Sequence, residues 1–175
     1  MLKAAIRPLL AVALACTLAA CHIPDTTMEN GAIRLYGDMV ALHVDGAPEA
    51  DIAADGNLTI AGKTVDTTPA ERDLLAQYNR SVRAVHDTGL AMGEAGVGIA
   101  AKAIRAAVSS SSGNADKAEE TGSNRIAKLS LGICKDTAAI KAAQDQLAAQ
   151  LAAFKPYASI VSTSDVADCA KDAKD

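Results

Sequence analysis

The 175-residue chain has no tryptophan, one phenylalanine and three tyrosines. With so few rings there is no platform on which bases could stack, and no basic stripe stands in for one, so nucleic acid is excluded as a partner. The core must also be thin. Alanine supplies much of the apolar content and buries little area at ~25 cal/mol per Å², which favours helices packed through small side chains over a thick sandwich. No apolar run reaches the ~20 residues a spanning helix needs; the longest, Leu9 to Ala20, is too short. No Gly-x-Ser-x-Gly elbow occurs, and His22, His43 and His86 are scattered with no second ligand at metal spacing. Neither a catalytic constellation, a metal site nor a cofactor site is expected.

What is present begins with an address. Lys3 and Arg7 precede the Leu9–Ala20 run, the charged-then-apolar layout of a secretory signal over residues 1–20. Leu18-Ala19-Ala20-Cys21 resembles the lipobox of bacterial lipoproteins, which makes Cys21 the expected lipidated first residue of the mature protein. An ordinary cleavage that leaves Cys21 free is the alternative. The anchor would hold the chain to a membrane facing the periplasm, and His22, where many inner-membrane lipoproteins carry aspartate, points by analogy to the outer membrane. Of four cysteines, Cys16 leaves with the leader and Cys21 carries lipid, so Cys134 and Cys169 remain to form a disulfide in an oxidising compartment. A zinc site is the lesser rival, because two cysteines supply too few ligands. The formal charge of −4 becomes two units more negative when Lys3 and Arg7 are removed. Between Asp25 and Asp66 only Arg34 and Lys63 offset eight carboxylates, the pattern of a solvated face.

Residues 21–31 are polar and aperiodic and read as a lipidated tether. From 32 to 175 the sequence reads as a single α+β domain. Short β-prone runs punctuated by Asp45-Gly46, Asp55-Gly56-Asn57 and Gly62-Lys63 predict an N-terminal antiparallel meander. Thr68-Pro69-Ala70-Glu71 is a capping box that opens a long helix, with Leu75, Tyr78, Val82 and Val85 as its apolar stripe. A second stripe, Leu90, Val97, Ala101, Ile104 and Val108, is turned about a quarter of the circumference from the first, which predicts a bend or break near Gly89. Residues 109–124 are serine-rich and charged and read as a flexible insertion. Ile133, Ile140, Leu147 and Phe154 then recur every seven residues, the seam of a second, antiparallel helix closed by Pro156.

Two motifs imitate chemistry. Asp51 to Gly62 resembles a calcium loop but has Ala53 at the third place and Gly62 at the twelfth, so too few oxygens remain. Gly96-Val97-Gly98-Ile99-Ala100-Ala101 matches a dinucleotide fingerprint but follows helix rather than strand, and its glycines are read instead as places where another helix comes close.

Asp55 to Lys63, Val65, Thr68 to Arg72 and Tyr78 together resemble the YggN-like family of proteobacterial envelope proteins, a domain of unknown function. The lipobox and the proline-terminated helix carrying Cys134 extend the likeness over most of the mature chain. The resemblance implies an envelope location and this fold, without a chemistry. The expected function is therefore a non-enzymatic, periplasm-facing lipoprotein that binds another envelope component through its helical pair or its acidic meander. A hydrolase or isomerase acting on envelope material, and a holdase-like assembly accessory, are the alternatives from other classes.

Overall fold

The computed structural model describes residues 24–109 and 112–173. It is an α+β fold in which six short strands form one antiparallel sheet in sequential order, followed by helices. The strands are β1 (Thr26–Met28), β2 (Ile33–Tyr36), β3 (Met39–Leu42), β4 (Ala50–Ile52), β5 (Leu58–Ile60) and β6 (Lys63–Thr64). Register explains why so small a sheet holds. Leu35, Val40, Ile52 and Leu58 stand opposite one another across four strands, with Ile33, Leu42 and Ala50 forming a second rung, and all seven are buried. Such cross-strand apolar pairs, repeated on one face, stabilise a meander whose single hairpins would be marginal.

Two turns differ from expectation. Asp45-Gly46 does not join adjacent strands directly, because β3 ends at Leu42 and β4 starts only at Ala50. Between them Ala47 N–H donates to Val44 O at 3.0 Å, closing a turn with Gly46 at φ +79°. The tight two-residue hairpin is instead Ala61-Gly62, both with positive φ, between β5 and β6. The tether is also shorter than the sequence indicates. Thr26–Met28 pairs with β2 as the edge strand, and Glu29–Gly31 is a 3-10 turn. Thr26 and Thr27 supply β propensity within a polar composition, which is why polarity alone misled.

Helix α1 (Pro69–Ser109) opens on the expected capping box: Glu71 N–H donates to Thr68 Oγ1 at 3.3 Å, and Thr68 N–H donates to Glu71 Oε2 at 2.7 Å. Leu75, Tyr78 and Val82 are fully buried against the sheet. Asn79, also buried, fixes the helix to the sheet by donating from Nδ2 to Ile52 O (2.9 Å) and Asp38 O (2.8 Å). No break occurs near Gly89: α1 continues as one helix of 41 residues through Asp87-Thr88-Gly89.

Helix α2 (Ser112–Gln150) returns antiparallel to α1 and takes in most of the segment read as a flexible insertion. Ala115, Lys117, Ala118, Glu119 and Glu120 are good helix formers, and their propensity outweighs the serines around them. The seven-residue seam meets the core as predicted at Ile140, Leu147 and Phe154, all fully buried, with Ile133 half-buried. Phe154 reaches it from a different element. Helix α2 stops at Gln150, Leu151 is extended, and a 3-10 turn over Ala152–Tyr157, with Pro156 inside, carries Phe154 into edge-on contact with Tyr78 at 6.1 Å between ring centroids. Tyr157 donates from its hydroxyl to Pro48 O at 2.5 Å, joining this turn to the β3–β4 loop.

The charged tail is also helical. Helix α3 (Thr163–Asp172) begins at a capping box in which Asp165 N–H donates to Ser162 Oγ (3.1 Å) and Ser162 N–H donates to Asp165 Oδ2 (2.7 Å).

Candidate functional site

Cys21 lies outside the described residues, so the structure adds nothing on the anchor. Cys134 and Cys169 form a disulfide, with Cα atoms 5.5 Å apart across 35 residues of sequence. Cys134 is not at the start of a helix but well inside α2. The chain reaches it because α3 folds back along α2 after the turn at 152–157. Gln144 holds that return: fully buried, its Nε2 donates to Ala158 O (2.7 Å) and Val161 O (2.9 Å), and its Oε1 accepts from Val161 N–H (3.0 Å).

Among the described residues the core cluster takes nothing from α1 after Val85 and nothing from α2 before Ile140. Outside those points α1 and α2 form a helical hairpin in which glycines of α2 face side chains of α1. A β-carbon on Gly122 of α2 would come within 2.3 Å of the Ile99 side chain, so this glycine carries the close approach, whereas one on Gly132 would meet Thr88 in ordinary contact at 3.8 Å. The glycines expected to do so, Gly96 and Gly98, face open space within an uninterrupted helix.

The outer side of the same stretch of α1 is apolar and uncovered. Leu90, Val97 and Ile104 are 58%, 71% and 66% exposed. At about 100° per residue, Val97 stands roughly 160° around the helix from Ala95, which is buried, and from Ile99, which meets Gly122. Gly93, Ala100 and Ala101 fill the spaces between the three large residues and are exposed too. From Leu90 to Ile104 the second stripe in the sequence is thus a surface feature, turned away from α2, and its change of phase needs no break in the helix; the Val108 side chain lies outside the described residues.

Titratable groups gather elsewhere. Burial, and then the nearby Asp165 carboxylate, hold the Glu29 carboxyl above its ordinary value. Tyr78 is pushed well up by burial and then by Glu29, and its hydroxyl has no hydrogen-bond partner among the described residues. The Asp165 carboxyl is held down by the side-chain and backbone hydrogen bonds from Ser162. An open depression of about 400 Å³ lies between the β1–β2 turn, the start of the β3–β4 loop and the segment that precedes α3, bordered by Arg34, His43, Asp45 and Ser159. Among the described residues no group of three or more His, Cys, Asp or Glu is placed to hold a metal ion, and no helix is long and apolar enough to cross a membrane. Asp51 to Gly62 forms the β4–β5 hairpin, with Asp55 Oδ1 accepting from Asn57 N–H at 3.0 Å. His86 lies on α1, and His22 lies outside the described residues.

No family model, curated protein or solved structure matches the chain.

Proposed function

We propose that this is a non-enzymatic lipoprotein of the YggN-like kind, anchored at Cys21 to the periplasmic face of the outer membrane, that binds a protein of the envelope through the outer face of α1. The observation that carries the reading is the exposure of Leu90, Val97 and Ile104 at seven-residue intervals on a helix whose earlier apolar residues Leu75, Tyr78 and Val82 are fully buried. Water contact over such a seam costs free energy that a partner would recover at ~25 cal/mol per Å². Heptad spacing is the form of surface another helix fits. A holdase-like accessory would use the same face, without a fixed partner.

Two experiments test the reading separately. A photoreactive side chain at Val97 should yield one discrete adduct in intact cells, whereas the same group at Arg125 of α2 should yield none. A smear of many adducts would favour the holdase, and no adduct at either position would refute binding through this face. Cys21→Ser should move the protein from the detergent-soluble membrane fraction to the soluble periplasm, since several acyl chains anchor stably where one holds marginally. Recovery of wild-type protein in the soluble fraction would refute the anchor. Separation of the two membranes on a density gradient then decides which of them holds the wild type, and recovery with the inner membrane would overturn the outer-membrane assignment.

A further inference from the structure

We infer that the occupant of the α1 outer face is a second copy of this chain, docked antiparallel about a two-fold axis at Val97. The inference rests on reading that face as the binding surface, and adds the identity and orientation of the partner. Its first support is the spacing. Leu90 and Ile104 stand seven residues on either side of Val97, so in an antiparallel pair each Leu90 falls opposite the partner copy's Ile104, while the two Val97 side chains meet at the axis. A two-fold contact requires this kind of self-complementary patch. Gly93, Ala100 and Ala101 between the large residues leave room for the facing side chains to enter, as small residues do where helix backbones come close.

The second support is charge, which selects the direction. From Asp87 to Arg105 the charged residues of α1 are Asp87, Glu94, Lys102 and Arg105, all exposed. Both acids precede Val97 and both bases follow it. In the antiparallel pair Asp87 falls near the partner copy's Arg105, within two residues of direct opposition and with both about 80° around the helix from Val97 on the same side. A parallel copy would place like charges side by side. Paired flanking charges of this kind set partner choice and orientation in helical seams. The two hairpins together would bury both exposed seams between them and form a four-helix arrangement, with α2 of each copy on the outside.

The test uses the full chain purified in detergent, carrying single cysteines on the outer face. Mixed Leu90→Cys and Ile104→Cys copies should form an intermolecular disulfide under mild oxidation, as should Val97→Cys alone. Leu90→Cys alone should not, because its two copies would lie about 21 Å apart along the seam. Val97→Asp, at an exposed position that does not perturb the fold, should raise the dimer dissociation constant at least tenfold, a rough figure for replacing an apolar contact by two facing carboxylates. Its circular dichroism and its Cys134–Cys169 bond should be unchanged. Leu90→Cys cross-linking to itself would overturn the antiparallel pair. A monomeric wild type, or a dimer indifferent to Val97→Asp, would overturn self-association. Capture of a different protein at Val97 in cells would overturn the second copy as occupant and leave the binding face standing, whereas no adduct of any kind would remove both.

Discussion

Gly56, in the β4–β5 turn, lies so close to the first turn of α1 that a β-carbon built on it would stand 2.1 Å from the carbonyl oxygen of Arg72. Its φ of +81° also lies in the left-handed region that side chains resist. The obstructing atom is backbone of a capped helix and cannot swing aside. Gly56→Ala should therefore cost about 2 to 4 kcal/mol, combining a strained residue with displacement of the helix start. Urea denaturation checks this, and a loss below 1 kcal/mol would mean that the sheet and α1 can separate cheaply.

Gln144 satisfies three backbone groups of the 158–161 turn, two of them through one amide nitrogen. In Gln144→Ala the Val161 N–H and the two carbonyls lose their buried partners together, a cost of about 3 kcal/mol or more. Phe154 and Tyr157 should stay in the core while α3 loosens, so the Cys134–Cys169 bond should be reduced by low dithiothreitol faster than in the wild type. Equal reduction rates would show that Gln144 does not govern the return of the chain.

Reduction of the disulfide in the unaltered protein releases a loop of 35 residues. The chain-entropy estimate for that size is about 3 to 4 kcal/mol. Helix α3 should be lost first, since ten residues make a marginal helix without tertiary support. Cys134→Ser with Cys169→Ser should lower the urea midpoint accordingly. Thiols at both positions that alkylate before any reductant is added would refute the bond.

Glu29 and Asp165 give stability opposite dependences on pH. The Glu29 carboxyl is raised by burial and by Asp165, so its contribution is fully present below its ordinary value of 4.5 and is lost as pH rises through the higher folded value. The Asp165 carboxyl is lowered by Ser162, so its contribution is present above 3.8 and is lost as pH falls through the lower folded value. Glu29→Gln should accordingly be more stable than the wild type at neutral pH, by a small margin because the group is partly solvated. That gain should vanish below pH 4.5. Asp165→Asn should be less stable at neutral pH, with the deficit shrinking as acid protonates the wild type. Thermal melts of the three proteins across this range decide the signs.

Much of this architecture was legible in the sequence, for identifiable reasons. The Thr68–Glu71 box, the 75–82 stripe and the 140–154 seam are local or periodic signals that tertiary packing reinforces. The Cys134–Cys169 pair followed from the small number of thiols. Where reading failed, composition stood in for mechanism. Thr26 to Met28 looked like tether because it is polar, and residues 109–124 looked unstructured because they are rich in serine, although Ala115 to Glu120 carry helix propensity. The start of α3 is signalled by Ser162 and Asp165 three residues apart, a capping signal as good as that of α1 but set in a charged tail. The outer stripe of α1 is plain in the sequence, but apolar periodicity cannot distinguish a face buried within the chain from one left open. Only the placement of α2 against Ala95 and Ile99 makes that distinction.

The position of Cys134 has a mechanical consequence. It is the most outward point at which α3 is fastened to α2, and beyond it the described contacts between the long helices, Thr88 with Gly132 and Ile99 with Gly122, lie outside the main core cluster. Unzipping that begins at Ser109 and Ser112 meets little resistance until it arrives at this staple, where a third helix and the sheet share the load. The outer arms can therefore part and rejoin many times while the sheet stays shut. In the Val97→Asp variant, whose outer face is unpaired, amide hydrogens should record this as fast exchange along 90–132, with an abrupt step to slow exchange past Cys134.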